Sequence, residues 1–362
     1  MIEKEVFFVE LSENSKLEER VTATEKIISF MKFENYITKK DKVAIKLHVG
    51  EKNNTTHISP EVIKIIVDEV ENIGGHPFLT ETSTLYHGSR SNAIEHLTLA
   101  FEHGFTFEKT GAPFIMADGL LGNSEMEVSI PGILFQKVNI AREIMMTDSL
   151  ILVSHPTGHL VTGMAGVIKN LGMGFASRKG KLKQHSSIKP FIKAKLCNLC
   201  EQCFKYCPAD AIIEKDKKAF IITEKCIGCG ECLTVCNYDA VKYNWGKEST
   251  ELQKSMAEYA LGAIIQKRQK CIYLNILVNM TKLCDCMDIN QKRIIADIGI
   301  LGSDDPVALD QATLDLSKIH NKKDLGEISF PNIDPLIQLE HAEKIGLGSR
   351  KYRLINVSSK KF

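Results

Sequence analysis

Short apolar runs alternate with segments of helical periodicity along most of this chain. Three apolar strands are predicted, at 43–47, 76–80 and 149–153. The last is apolar throughout, which is typical of a strand buried on both faces of a sheet. Ser59 and Pro60 suit the first turn of a helix between the first two strands. This alternation predicts an α/β fold: a layered, mostly parallel sheet flanked by helices.

The same alternation resumes towards the end of the chain. A helix is predicted at 251–266, and strands are predicted at 271–278 and 293–298. Asp305 precedes Pro306 at the start of a further helical pattern, and helix capping explains this aspartate best. The second half of the chain therefore adds strands and helices of the same kind as the first.

A cysteine-rich segment separates the two α/β parts. We therefore expect residues 1–190 and 247–362 to form one α/β domain, and residues 191–246 to be an inserted, ferredoxin-like α+β domain. If this interpretation is correct, the insert should begin and end at neighbouring points, near Ile192 and Trp245.

Eight cysteines of the insert form two runs of identical spacing. Each run reads C-x2-C-x2-C-x3-C, which bacterial-type ferredoxins use to hold two [4Fe–4S] clusters. The fourth cysteine of each run ligates the other cluster, so the predicted ligation is crossed. The first cluster is assigned to Cys197, Cys200, Cys203 and Cys236, and the second to Cys226, Cys229, Cys232 and Cys207.

Disulfides and zinc explain these eight cysteines less well. The first residues lack the layout of a secretory signal, and zinc sites usually pair two C-x2-C elements. We therefore expect the chain in a reducing cytoplasm, in an anaerobe, because oxygen attacks exposed clusters.

The net charge and the lengths of the apolar runs argue against two classes of partner, nucleic acids and membranes. Lys and Arg number 46 against 45 Asp and Glu, so no bulk charge points to nucleic acid. No apolar run approaches 18 residues, so no membrane span is expected. A redox partner protein and a small molecule remain the expected partners.

Polar residues follow the predicted strands. Ligands bind outside the carboxyl ends of the strands in open parallel sheets. We therefore expect these side chains to meet at one edge and to include the ligands of one further transition metal. The predicted metal ligands are His48, His155, His159, Cys284 and Cys286.

The sequence supports the cysteine pair as metal ligands better than it supports the histidines. A single histidine such as His48 is more often structural than a ligand. His155 and His159 would share a metal on a helix, but Pro156 between them indicates a loop. The thiols of Cys284 and Cys286 are interpreted as metal ligands or redox thiols, since a turn would bring them together.

Two further residues are predicted to be catalytic. Lys169 lies in a glycine-rich stretch, where it could hold an anion or act as an acid or base, or be a solvated lysine. Asp304 is the better site candidate of the pair it forms with Asp305. The basic stretch 178–183 is predicted to be a solvated loop, and it could also dock an acidic partner.

Several of these motifs are similar to one family. The chain resembles, over about residues 40–320, the uncharacterised iron–sulfur centre proteins of the domain-of-unknown-function family 362. The resemblance implies the architecture and the clusters but no settled reaction. The element ending at Lys169 also resembles the N-terminal domain of lactate-racemase-like proteins, in which a lysine and histidines surround a nickel cofactor. The family motifs are Lys46–Glu51, Thr82–Tyr86, His155–His159, Gly166–Gly174, Cys284–Cys286 and Asp297–Pro306.

The expected function is that of an iron–sulfur redox protein. Its two clusters would exchange single electrons with the metal or small-molecule site at the strand ends. An oxidoreductase is the enzyme class that this arrangement indicates, although the reaction stays open. The alternative is a ferredoxin-like electron carrier or metal-handling protein without turnover.

Overall fold

The computed structural model describes residues 3–86, 88–185, 189–226, 232, 235–238, 240–242 and 249–359. The strands in these residues are β1 (Lys4–Glu10), β2 (Lys42–Lys46), β3 (His76–Glu81), β4 (Phe114–Met116), β5 (Glu125–Ser129), β6 (Lys137–Ala141), β7 (Ser149–Ser154), β8 (Thr157–His159), β9 (Gly163–Ala165), β10 (Phe191–Ile192), β11 (Ile212–Lys215), β12 (Lys218–Ile221), β13 (Val241–Lys242), β14 (Cys271–Leu277), β15 (Gly299–Ser303) and β16 (Tyr352–Asn356).

The helices of the same residues cover the sheet and its loops. They are α1 (Leu17–Met31), α2 (Pro60–Ile73), α3 (Ala93–Glu102), α4 (Phe107–Thr110), α5 (Arg142–Met145), α6 (Val167–Gly172), α7 (Arg178–Gln184), α8 (Gln202–Lys205), α9 (Ser249–Ile264), α10 (Pro306–Asn321), α11 (Leu325–Ser329) and α12 (Leu336–Lys344). In this part of the chain, no helix is both long and apolar enough to cross a membrane.

Eight strands form the main sheet in the order β16-β1-β15-β14-β7-β2-β3-β4. Seven of them run in one direction, and β15 alone is antiparallel to both of its neighbours. The structure therefore confirms a mixed α/β fold with a mostly parallel sheet.

The sheet is buried on both faces because alternate side chains of its central strands enter different apolar layers. In β14, Tyr273 and Leu277 pack into one layer, whereas Leu274 and Ile276 pack into the other. Helices α6, α9 and α10 contribute to the first layer, and α1 and α2 contribute to the second. This burial explains why the central strands are apolar throughout.

Some helix ends follow from local sequence. Asp305 caps α10 by accepting hydrogen bonds from the backbone N–H groups of Val307 and Ala308, as predicted. Gly74 ends α2 in the left-handed conformation, at φ 91°. Ser59 occupies the capping position of α2, but its hydroxyl makes no capping hydrogen bond.

Two local predictions are wrong. The strand predicted at 293–298 runs instead over Gly299–Ser303, since the buried Asp297 holds the preceding segment by accepting hydrogen bonds from Ser15 and Asn279. The basic stretch 178–183 belongs to helix α7 and is not a solvated loop. Its Lys181 is buried and donates a 2.6 Å hydrogen bond to Thr82 Oγ1.

The cysteine-rich segment forms two small sheets of its own. Strand β10 pairs with β13, which brings Ile192 opposite Val241, and β11 pairs with β12. Strands of the main sheet come from before and after this segment. Trp245 and Cys229 lie outside the described residues. The division into domains remains a prediction.

Candidate functional site

The loops that follow β2, β3, β7 and β14 meet at one edge of the main sheet, because these four strands are parallel neighbours. Hydrogen bonds connect the segments that carry the predicted site residues. Arg90 lies between His48 and Glu51, His155 contacts Asp285, and Lys169 contacts Cys284.

Asp304 does not belong to this edge. The prediction that it would join the other strand-end residues is wrong, because β15 is antiparallel and ends at the opposite edge of the sheet. There Asp304 Oδ1 lies 3.7 Å from Nζ of Lys4, at the start of β1, and its side chain is 40% exposed.

Among the described residues, Cys284, Cys286 and His159 form the one group of three His, Cys, Asp or Glu side chains close enough to share a metal ion. One donor atom from each lies within 4.8 Å of the other two. The structure joins the two cysteines by a disulfide. As thiolates, this group could hold a soft or borderline metal ion.

The two sulfurs of this pair have different surroundings. Cys284 is buried, and its Sγ accepts hydrogen bonds from Lys169 Nζ at 3.5 Å and from the Cys286 N–H at 3.3 Å. Cys286 is only partly buried, and its carbonyl accepts a 3.1 Å hydrogen bond from the Tyr86 hydroxyl. The pair is therefore asymmetric in both charge and access.

Lys169 is positioned by the start of α6. The Asp310 carboxylate accepts the N–H groups of Val167 and Ile168 there, at 2.8 and 2.9 Å. Burial lowers the pKa of Lys169 to about 8, and the nearby cations Arg90 and Lys46 lower it too. Lys169 is thus a partly buried amine aimed at sulfur, and not the solvated lysine that was the alternative.

His155 has no lone pair available for a metal. Its Nε2 donates to the Val278 carbonyl, and its Nδ1 faces the Asp285 carboxylate, both at 2.7 Å. Since both partners are acceptors, both ring nitrogens are protonated. Although burial lowers the pKa of His155, Asp285 raises it above its usual value overall. The predicted ligand role of His155 is wrong, and it is a structural cation.

His48 is also enclosed by protein partners. Its Nδ1 faces the Gly50 N–H, and its Nε2 faces Arg90, each at 3.0 Å. Burial and then Arg90 hold the pKa of His48 well below its usual value, so the ring is neutral. Both ring nitrogens of His48 lie against protein groups, and His48 does not belong to the group formed by His159 and the two cysteines.

A buried network of charges lies beneath this edge. Glu81 accepts from Lys46 at 3.2 Å and from His96 at 2.9 Å, and Arg90 bonds Glu51 at 2.8 Å. Glu81 directly follows the strand predicted at 76–80, and Lys46 and Glu51 lie at the two ends of one family motif. Arg90 and His96 were not foreseen as part of the site. The role of Lys46 could have been noticed, because it is the one charged residue of the strand predicted at 43–47.

Four cysteines of the cysteine-rich segment line a single cleft that is partly open to solvent. Burial first, and then the other three thiols, raise the pKa of Cys203 to about 11. Cys236 comes from the second run, and the other three come from the first. They are Cys197, Cys200, Cys203 and Cys236.

The sulfurs of the insert receive backbone hydrogen bonds at matching positions. The Ala211 N–H donates to Cys207, and the Ala240 N–H donates to Cys236, both over 3.3 Å. In each case the donor lies four residues after the cysteine that ends its run. Repeated local structure therefore accompanies the repeated sequence.

The insert packs against the edge that holds the sulfur pair. Leu85 shares an apolar cluster with the buried Cys232 and with Val241 of the insert. The next residue is Tyr86, whose hydroxyl contacts the Cys286 carbonyl. Two adjacent residues, Leu85 and Tyr86, thus link the apolar cluster around Cys232 to the Cys284–Cys286 loop.

The fold and this edge define a class: an α/β protein with a mostly parallel sheet and a Cys/His group at its carboxyl edge that could hold a metal ion. Residues 43–315 match the family described as Domain of unknown function (DUF362). The chain therefore belongs to this family, as the resemblance of its motifs indicated. The iron–sulfur clusters that the resemblance implies stay a prediction.

Two solved structures are similar in part. The lactate racemase apoprotein from Thermoanaerobacterium thermosaccharolyticum is 14% identical, with a TM-score of 0.39 over 75% of this chain and 56% of that chain. A protein from Thermotoga maritima is 10% identical, with a TM-score of 0.42 over 88% and 60%. This chain spans less than two thirds of either protein. No curated protein matches it.

Proposed function

We propose that this protein is an iron–sulfur redox protein. Two [4Fe–4S] clusters in the insert would exchange single electrons with the site at the carboxyl edge of the sheet. The observation that supports this most directly is the shared cavity of Cys197, Cys200, Cys203 and Cys236. Three cysteines of one run and the last of the other are the set that crossed ligation requires.

The local chemistry fits thiolate ligands of a cluster. Backbone N–H groups point at sulfur in both runs, including two N–H groups that reach Cys197 at 3.4 Å. Such hydrogen bonds stabilise the negative charge of cluster sulfurs and help to set the reduction potential. The second cluster would use Cys226, Cys229, Cys232 and Cys207, of which Cys229 lies outside the described residues.

The packing of the insert favours electron exchange with the edge. Leu85 contacts the insert and Tyr86 contacts the Cys284–Cys286 loop, so the path between them stays within protein. On this proposal the second cluster, which includes Cys232, would exchange electrons with the edge. A separate redox protein would exchange electrons with the first cluster. If the edge carries out a reaction, the protein would be an oxidoreductase.

Anaerobic purification followed by iron and sulfide analysis tests this proposal. We expect about eight irons and eight sulfides per chain. Cys207→Ala should damage the cluster held by Cys226, Cys229 and Cys232, although Cys207 belongs to the first run. Cys271→Ala is the matched control, because Cys271 is buried in β14 of the main sheet and should leave the iron content unchanged.

Electron paramagnetic resonance of the reduced variants distinguishes the outcomes. Loss of the second cluster signal in Cys207→Ala supports crossed ligation. Loss of the first cluster alone would refute it, and a wild-type protein without iron would refute the proposal as a whole.

A metal-handling protein is the second candidate, and the proximity of His159, Cys284 and Cys286 favours it. On this alternative, one non-cluster metal ion per chain should copurify. It should disappear in Cys284→Ala while the iron and sulfide of the insert remain. A protein that retains no such metal would exclude this candidate.

A further inference from the structure

The two cysteines of the Cys284–Cys286 disulfide differ in burial. Cys286 is only partly buried, whereas Cys284 is 4% exposed and faces Lys169. We propose that this pair is a thiol–disulfide exchange centre for a low-molecular-weight thiol, in which Cys286 is attacked and Cys284 leaves. This rests on the proposed function, because it names the group at the edge that exchanges electrons with the clusters.

The exchange step balances without any further oxidant or reductant. The substrate thiolate attacks Sγ of Cys286, an S–S bond forms between them, and the Cys284–Cys286 bond breaks. The electron pair of the broken bond stays on Cys284 as a thiolate. A second substrate thiolate then attacks the mixed disulfide, which releases the substrate disulfide and leaves Cys286 as a thiolate.

Lys169 gives this step its direction. Its Nζ lies 3.5 Å from Cys284 Sγ, so an ammonium group is in place where negative charge develops on the leaving sulfur. Thiols whose thiolate is stabilised by a cation leave faster. Attack on Cys284 would instead develop the charge on Cys286, which lies farther towards solvent.

His159 is held through its Nδ1. This nitrogen faces the backbone N–H groups of Val161 and Thr162, at 3.3 and 3.1 Å, and the Thr162 hydroxyl, at 2.9 Å. The Thr162 hydroxyl donates its own proton to the Met164 carbonyl, so it can accept a proton from Nδ1 but cannot donate one to it. The contacts of His159 are therefore compatible with metal binding as well as with exchange, and a measurement of bound metal distinguishes the two.

Mixed-disulfide mapping tests the assigned roles. Full-length Cys284→Ser and Cys286→Ser proteins are purified anaerobically with their clusters and incubated with glutathione disulfide. Peptide mass spectrometry should find glutathione on Cys286 in Cys284→Ser. The adduct on Cys284 in Cys286→Ser should form at least about tenfold more slowly, because access limits thiol reactivity. Equal rates, or a faster reaction at Cys284, would overturn the assignment.

The role of Lys169 is measured on the intact disulfide. Reduced glutathione should open the pair roughly three- to tenfold more slowly in Lys169→Met, and Lys169→Arg should restore the rate, because charge rather than shape is needed. Circular dichroism confirms that the variants fold. An unchanged rate in Lys169→Met would contradict the role of the ammonium group.

Iron and sulfide are measured on the same samples to separate this inference from the proposed function. Full iron content with no adduct at Cys286 would refute the exchange centre but not the iron–sulfur clusters. An adduct at Cys286 in a protein without iron would refute the clusters but not the exchange centre. A stoichiometric metal that protects both thiols from glutathione disulfide would replace exchange with metal binding.

Discussion

Asp285 determines whether the loop that carries the sulfur pair keeps its position. One carboxylate oxygen accepts from His155 at 2.7 Å, and the other accepts from Asn54 at 3.0 Å and from Thr56 at 3.2 Å. The backbone carbonyl of Asp285 also accepts the Glu51 N–H. Because Asp285 lies between Cys284 and Cys286, these bonds hold both cysteines against the sheet.

Two substitutions at Asp285 separate its charge from its shape. Asp285→Ala removes the acceptor of three buried donors and leaves the charge of His155 unpaired. We expect it to lower the free energy of unfolding by about 3–5 kcal/mol, the usual cost of breaking a buried ion pair on one side. Asp285→Asn can still accept from Asn54 and Thr56 and can donate to Nδ1 of a neutral His155. Its expected cost is about 0.5–1.5 kcal/mol, that of a weakened hydrogen bond.

Urea unfolding followed by far-ultraviolet circular dichroism measures both changes under anaerobic conditions. The ¹⁵N chemical shifts of His155 provide a second readout, since both ring nitrogens should be protonated in the wild type and only Nε2 in Asp285→Asn. If Asp285→Asn is as destabilising as Asp285→Ala, the ion pair itself is required, and the reasoning from hydrogen-bond complementarity is refuted.

Three further changes test other parts of the fold. Glu81→Gln leaves the buried ammonium of Lys46 with neutral partners and should lower the free energy of unfolding by about 3–5 kcal/mol; adding Lys46→Met should recover part of this loss in urea unfolding. Gly172→Ala should lower the melting temperature although alanine favours helices by about 1 kcal/mol, because its Cβ would lie 2.2 Å from the Met256 carbonyl oxygen; a rise would disprove the clash. Burial raises the pKa of Asp41, but hydrogen bonds outweigh it and hold that pKa below its usual value. The stability this gives is present above about pH 4 and is lost as pH falls through the folded pKa, so Asp41→Asn should be less stable at pH 7, and the difference should shrink near pH 3; a constant difference would contradict this linkage.

Local sequence was sufficient for much of the fold but not for the direction of every strand. The apolar runs of β2, β3, β7 and β14 predicted strands at nearly the observed positions, because these strands are buried on both faces. The antiparallel direction of β15 depends on its pairing with β1 and β14, which its own residues do not reveal. Asp304 was therefore assigned to the wrong edge.

The same limitation applies to the site. The sequence indicated that Cys284, Cys286 and His159 would meet, since all three follow strands of one parallel sheet. It did not show that both ring nitrogens of His155 would contact protein acceptors. One of these acceptors is Asp285, which lies 130 residues away in sequence. A partner that far away in sequence is brought into contact by the tertiary fold, so the spacing of residues in a motif cannot predict it.

The position of β1 has a consequence for how this chain is made. Both of its neighbours in the sheet, β15 and β16, are synthesised long after it, because they lie at Gly299–Ser303 and Tyr352–Asn356. At roughly 5–20 residues per second, the roughly 290 residues between β1 and β15 take on the order of 15–60 s to emerge from the ribosome. During that interval the first strand has no partner on either side, while β2, β3, β4 and β7 can already pair. The N-terminal strand is therefore the segment for which a nascent-chain chaperone would matter most.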